Sequence, residues 1–281
     1  MNRISTHFLD LEGIKTAYYS TEGEGTPIVL LHGGGVDHAM LSWKTIMQTW
    51  TGSQPLVALD LPGYGNSDKP ELEYSLSFYT GFLNAFLDTL NAQNVTLCGL
   101  SMGGAIALQY ALRYPNYIGK LVLVAPWGVS ASVPYSLMGR LLVRLPLNQV
   151  AYKTLQNRWL AKNIIAGSLI GNREKITPEI LDEVQTAAHS KDAARVFQSF
   201  QISELWGEPP VGHLIPLLPQ IKVPTLFIQG DKDPGVKVGD VKQAAASMLN
   251  ARVEIFEHHK HWVQKESPER FVDIVRDFIE S

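Results

Sequence analysis

No aspartate or glutamate occurs between Thr89 and Arg173, although that stretch carries Arg113, Lys120, Arg140, Arg144, Lys153, Arg158 and Lys162. The chain as a whole has no such bias. Its formal net charge is −3, which argues against nucleic acid as a main partner, since binding a polyphosphate calls for a basic surface. Cysteine is nearly absent as well: Cys98 stands alone, so no intrachain disulfide forms, and inside an apolar run it reads as a small packed hydrophobe. No apolar stretch reaches membrane-spanning length, and Met1–His7 lacks the apolar core of a signal peptide. A reducing, cytoplasmic setting is therefore expected. Repeats and low-complexity segments are missing too.

What is present is a rhythm of buried strands and amphipathic helices. The length of 281 residues suits one large α/β domain with an insertion, or two smaller ones. Residues 7–11 and 14–20 read as two strands joined at Glu12-Gly13. Continuous apolar runs at 27–31, 56–60, 95–100, 120–126 and 225–229 read as strands buried on both faces, and 252–256 as a further strand. Residues 75–91 place Leu76, Tyr79, Phe82, Leu83, Phe86 and Leu87 at helical spacing. The last helix has Ser267 as its expected N-cap, Pro268 at its first position and a buried stripe from Phe271 to Ile279. Between Trp127 and residue 220 the strand rhythm stops. Helical-period segments broken by Pro134, Pro146, Pro178, Pro209, Pro210, Pro216 and Pro219 replace it. The expected organisation is a core of residues 1–127 and 220–281 around a helical cap of residues 128–219, with a mostly parallel sheet of about eight strands.

One stretch carries chemistry. Gly99-Leu100-Ser101-Met102-Gly103 stands between an apolar run and the helical segment that opens at Ala105. G-x-S-x-G in that context is the pattern of a nucleophile elbow. A strand that turns into a helix within one residue brings two backbones together, so glycines are needed two positions either side of the serine.

A serine hydroxyl needs a base, and the base needs an orienting group. Loops at the carboxyl ends of parallel strands gather on one edge, so both partners should follow strands. His258, His259 and His261 follow the last strand, and Asp231 and Asp233 follow the strand at 225–229. Each of these remains a candidate on position alone. A solvated loop or a metal site is the alternative for the histidines, although no second ligand cluster accompanies them. Gly33–Gly35 could be a flexible or a phosphate loop, but no G-K-[ST] follows.

Four motifs together resemble the α/β-hydrolase family over nearly the whole chain. They are H-G-G-G at 32–35, D-L-P-G-Y-G-N-S-D-K-P at 60–70, G-L-S-M-G-G at 99–104 and H-W-x-Q-x-E-x-P at 261–268. The resemblance implies an α/β-hydrolase fold and a triad of Ser101, Asp233 and His261, choosing Asp233 over Asp231 and His261 over its neighbours. It also implies an oxyanion hole from the amides of Met102 and Gly34, with Gly33, Gly35, Leu100, Trp127 and Trp262 touching substrate. No cofactor or metal is implied.

Serine at the elbow sets the chain apart from the dehalogenases and epoxide hydrolases, which carry aspartate there. H-G-G-G and His261-Trp262 are similar to the carbon–carbon hydrolases that cleave ring-fission products. Those enzymes read G-N-S-M-G-G, where this chain has Leu100, and follow their glycines with proline, where it has Val36. They also bind the substrate's keto-acid end with an Arg-Trp pair, which the stretch Leu181–Gln185 lacks. The expectation is a serine carboxylesterase acting on small to medium acyl esters. Carbon–carbon hydrolysis of vinylogous diketo acids is the alternative, and a slow, receptor-like ligand binder is a second. A homodimer is left open. In the cap, Arg140 and Arg144 interleave with Leu137, Met138, Leu141, Leu142 and Leu145. A basic rim that steers anionic substrates would follow if that helix faced the site.

Overall fold

The computed structural model describes residues 1–129, 143–145, 147–190, 192–206 and 214–281. Its centre is a single eight-stranded sheet of order β1-β2-β4-β3-β5-β6-β7-β8. The strands are β1 (Ser5–Leu11), β2 (Ile14–Ser20), β3 (Ile28–Leu31), β4 (Leu56–Leu59), β5 (Val95–Leu100), β6 (Ile118–Val124), β7 (Thr225–Gly230) and β8 (Ala251–Phe256). The β1–β2 hairpin turns at Glu12-Gly13, both at positive φ, and β2 adds antiparallel to β4. All pairs from β4 to β8 are parallel.

The apolar runs form strands because both faces of the sheet are covered. Side chains alternate across a strand, so Val29, Leu31, Val95 and Leu97 join one core while Ile28, Leu30, Cys98 and Leu100 join the other. The first core is closed by α2 (Leu76–Thr89) and α3 (Met102–Arg113), the second by α1 (Ala39–Thr49). Each fully buried aliphatic or aromatic side chain contributes roughly 1.5–3 kcal/mol of transfer free energy, so this double burial holds the central strands in register.

Between β6 and β7 the described residues form no strand. They form α4 (Leu147–Leu155), α5 (Arg158–Ser168), α6 (Pro178–Ala188) and α7 (Ala193–Trp206). Local chemistry starts two of them. Asn157 Oδ1 accepts the Trp159 and Leu160 N–H groups at 3.1 Å each. Pro178 opens α6 behind Thr177, whose Oγ1 accepts the Ile180 N–H, so this proline begins a helix rather than breaking one.

After β7 come α8 (Val238–Ala246), β8, the short α9 (Val263–Glu266) and α10 (Pro268–Glu280). Ser267 precedes α10 as expected but makes no side-chain cap bond. Its Oγ pairs with His259 Nε2 at 2.6 Å instead. The inserted helices are fastened to the core at Glu266, whose two oxygens accept the Gly171 and Asn172 N–H groups at 2.7 Å. Among the described residues no helix is long and apolar enough to cross a membrane.

Candidate active site

Ser101 is the single residue between β5 and α3, with φ 50° and ψ −112°. For a residue with a Cβ this is strained backbone, of a kind that costs about 1–3 kcal/mol. The surroundings enforce it. The Ser101 N–H donates to Val124 O at 2.8 Å, and its carbonyl accepts the Trp127 and Ala105 N–H groups at 3.0 and 3.1 Å. A Cβ on Gly99 would collide with the Gly103 carbonyl, and one on Gly103 with the carbonyl of Leu31. Both glycines are thus demanded by the close approach of strand and helix.

His261 stands in the loop after β8, and its Nδ1 donates to Asp233 Oδ2 at 2.7 Å. Asp233 follows β7 and is fixed from several sides. Its Oδ1 accepts the Gly235 and Val236 N–H groups at 2.8 and 3.1 Å, and Gln229 Nε2 donates to Oδ2 at 3.2 Å. Burial alone would raise this carboxyl. The hydrogen bond from His261, its charge and the two amides outweigh burial and hold the group below the ordinary carboxylate range. An acceptor on Nδ1 leaves Nε2 as the basic nitrogen of the neutral ring. Asp231 pairs instead with Lys232 at 3.2 Å. His259 spends both ring nitrogens, on Glu257 O and Ser267 Oγ.

The glycine loop after β3 lies beside the elbow: a Cβ on Gly33 would sit 3.5 Å from Ser101 Cβ. The Gly33 N–H donates to Asp37 Oδ2 at 2.8 Å, and the Tyr64 hydroxyl lies 3.9 Å from Met102 Sδ. Burial pushes the Tyr64 hydroxyl well above its ordinary value, so it stays a neutral partner. Gly34 follows Gly33 in the loop and lines both of the cavities that reach Ser101. Met102 is the first residue of α3, and an N–H there has no acceptor within its own helix. A Cβ on Gly34 would sit 3.3 Å from Met102 Sδ, so the two residues are neighbours.

Ser101 and His261 line one cavity of about 340 Å³. Of the residues expected to touch substrate, Gly33, Gly35, Leu100 and Trp262 share its wall. Trp127 lines a second cavity of about 220 Å³ that also reaches Ser101, Gly34 and Met102. Several wall residues were not singled out from the sequence: Asp37, Tyr152, Leu169 and Val184 in the first cavity, and Phe197 in both. They come from the glycine loop and the inserted helices, and only tertiary packing brings them to the serine. Asp37 had a faint mark, a carboxylate four residues beyond a glycine that needs an acceptor.

The sequence pattern of the family described as alpha/beta hydrolase fold matches residues 26–268. The chain belongs to the alpha/beta hydrolase family. Among curated proteins it is 27% identical over 93% of its length to a 2-hydroxy-6-oxo-6-phenylhexa-2,4-dienoate hydrolase of Comamonas testosteroni, covering 90% of that protein. Two solved structures share the fold. The enzyme with that same activity from Rhodococcus sp. strain RHA1 superposes with a TM-score of 0.83 at 19% identity, with 100% of each chain covered. A thermophilic esterase from Thermogutta terrifontis superposes at 0.78 and 19% identity, with 98% of each chain covered.

In this alpha/beta hydrolase the other motif residues are structural. His32 is fully buried: its Nδ1 donates to Gly33 O at 2.7 Å and its Nε2 accepts the Leu61 N–H at 3.1 Å. Burial lowers its pKa and keeps the ring neutral. Asp60 ties the loop after β4 together, accepting from Tyr19 Oη, Ala39 N and Asn66 N. Of the two arginines expected to form a basic rim, Arg144 is described and Arg140 is not. The Arg144 guanidinium lies 3.8 Å from the centre of the Trp206 ring. Elsewhere in the inserted segment, Arg158 pairs with Asp182, and Arg173 donates to Asn163 Oδ1 at 2.7 Å. Leu137, Met138, Arg140, Leu141 and Leu142 lie outside the described residues.

Proposed function

We propose that this chain is a serine hydrolase of uncharged carboxylic esters, working through an acyl-enzyme on Ser101. The observation that carries this is one cavity whose wall holds both Ser101 and an Asp233-bound His261, and is otherwise mostly apolar, with Leu155, Ile165, Leu169, Val184 and Trp262 beside Asp37, Asn148 and Tyr152. In this reading His261 Nε2 takes the Ser101 proton as Oγ attacks the ester carbonyl. The Gly34 and Met102 amides then hold the oxyanion. His261 returns the proton to the departing alcohol oxygen, and water completes the cycle by the same route. Asp233 remains ionised and fixes the imidazole.

The apolar wall supports an uncharged substrate. Residues 181–185, where the carbon–carbon hydrolases would place a cation for the keto-acid end, contribute Val184. A charged carboxylate buried there without a partner would cost several kcal/mol.

Carbon–carbon hydrolysis is the second reading, favoured by the activity named for the Comamonas testosteroni relative. A panel of p-nitrophenyl esters run beside one vinylogous diketo acid separates the two. The ester reading expects sustained turnover of the butyrate, abolished in Ser101→Ala, and a kcat/KM for the diketo acid at least a hundredfold lower. Preference for the diketo acid overturns it.

A further inference from the structure

Two cavities meet at Ser101, and one side chain from the inserted helices stands between them. Phe197 of α7 lines both the 340 Å³ and the 220 Å³ cavity, and so do Ser101 and Gly34. Its ring rests on the glycine loop: a Cβ on Gly34 would lie 2.5 Å from Phe197 Cε2, and one on Gly35 would lie 3.7 Å from Cε1. The ring is thus pressed against the backbone that supplies one amide to the oxyanion.

The helix that carries Phe197 is firmly seated on both sides of it. Val196 is fully buried against Gly63, and Phe200 packs edge-on against Trp127 with ring centres 5.6 Å apart. Farther along α7, Ser199 Oγ accepts the Tyr74 N–H at 3.1 Å and Glu204 Oε1 accepts the Leu76 N–H at 2.6 Å. A wall held in this way separates two spaces rather than swinging between them.

The chemistry assigns the two spaces. A carbonyl carbon on Ser101 Oγ has three other directions to satisfy. Its oxygen points at the Gly34 and Met102 amides. Its leaving oxygen must lie where His261 can protonate it as the C–O bond breaks. The acyl chain takes what remains. His261 and Trp262 line only the larger cavity, whereas Met102 and Trp127 line only the smaller one.

We infer that the 220 Å³ cavity receives the acyl group, that the 340 Å³ cavity receives the leaving alcohol, and that Phe197 is the partition that sets the acyl length limit. The assignment rests on the ester reading for the word alcohol, but the partition itself requires only a nucleophilic Ser101. The substrate class is a short aliphatic acyl ester of a larger apolar alcohol. Leu205 also lines the smaller cavity and not the larger one, so a bulkier side chain there takes space from the acyl group alone.

The test uses linear alkylboronic acids from methyl to octyl, which form a tetrahedral adduct on the serine and are read by thermal shift. Parallel kinetics use p-nitrophenyl esters of rising acyl length and acetates of rising alcohol size. Wild type should bind butylboronate at least tenfold tighter than octylboronate. Phe197→Ala should abolish that difference by joining the cavities. Leu205→Trp should weaken butylboronate at least tenfold while methylboronate is retained, and should leave the alcohol series unchanged.

A length limit unmoved in both variants overturns the partition. So does a Leu205→Trp effect confined to the alcohol series. Ser101-dependent ester turnover without any acyl length pattern sinks the partition and leaves the ester reading standing. The boronate pattern without ester turnover does the reverse. No adduct and no turnover overturns both.

Discussion

Glu204 Oε1, on an inserted helix, accepts the N–H of Leu76 at 2.6 Å, at the first turn of a helix belonging to the core. The carboxyl is buried to 1% exposure, and its second oxygen has no hydrogen-bond partner among the described residues. Burial, offset in part by the Leu76 amide, pushes its pKa up from 4.5 to about 7.

The burial of that carboxyl makes stability depend on pH with a definite sign. The folded carboxyl holds its proton more tightly than the unfolded one. The associated stability is therefore fully present below pH 4.5 and is lost as pH rises through about 7. At 1.36 kcal/mol per unit the loss is on the order of 3 kcal/mol. Glu204→Gln keeps an acceptor for Leu76 and removes the titration. Thermal melts from pH 4.5 to 8.5 should show a wild-type Tm that falls more steeply than that of Glu204→Gln. Parallel curves would mean that this carboxyl titrates at its ordinary value in the fold.

Asp233→Asn should cost far more activity than Asp231→Asn. An asparagine at 233 still meets the Gly235 and Val236 amides, but it no longer fixes the proton on His261 Nδ1. In serine proteases the equivalent change costs roughly 10⁴-fold in kcat. Asp231 pairs with the half-exposed Lys232, and its loss should change kcat/KM less than about threefold, as expected for a surface ion pair. The reverse ranking in steady-state kinetics would remove Asp233 from the mechanism.

The central strands were legible because burial on both sheet faces leaves apolar runs, unbroken in β3 and β4 and nearly so in β5, the second half of β6, and β7. The helix α1 was not, because it lacks a local start signal. His38 precedes it without a side-chain cap bond, and the Ala39 N–H is met by Asp60 Oδ1 at 2.9 Å, from a loop distant in sequence. Ser267 does take the N-cap position of α10, but its hydroxyl goes to His259 rather than to the first turn, a contact that no local pattern encodes. At the site, the elbow was readable from Gly99 and Gly103. Position alone left Asp231 and Asp233 equal, and a hydrogen bond across 28 residues separates them. Phe197 meets Gly34 only through the packing of α7, which no local pattern encodes.

Glu266 should act as the tether of the inserted helices. Both of its oxygens accept backbone amides, those of Gly171 and Asn172, and Lys175 Nζ donates to its carbonyl at 2.6 Å. Hydrogen bonds to a buried charge contribute about 1.5–3 kcal/mol each. Glu266→Ala should lower Tm clearly and speed limited proteolysis within residues 156–177 before the sheet is cut. Cleavage at wild-type rates with a lowered Tm would place the contribution in the core rather than at the seam.

The final prediction concerns the strain at the nucleophile. Replacing alanine by glycine ordinarily destabilises a protein by roughly 0.5–1 kcal/mol, because glycine loses more backbone freedom on folding. At position 101 the order should invert. Alanine retains a Cβ at φ 50° and ψ −112°, whereas glycine visits that region freely and removes a strain of about 1–3 kcal/mol. Both variants lack the hydroxyl, so both should be inactive, and the comparison isolates the backbone. Chemical denaturation should find Ser101→Gly more stable than Ser101→Ala by about 1 kcal/mol, the difference of those two effects. A glycine variant that is the weaker of the two would mean that Ser101 is held without strain, its conformation supplied by the bonds to Val124, Ala105 and Trp127 alone.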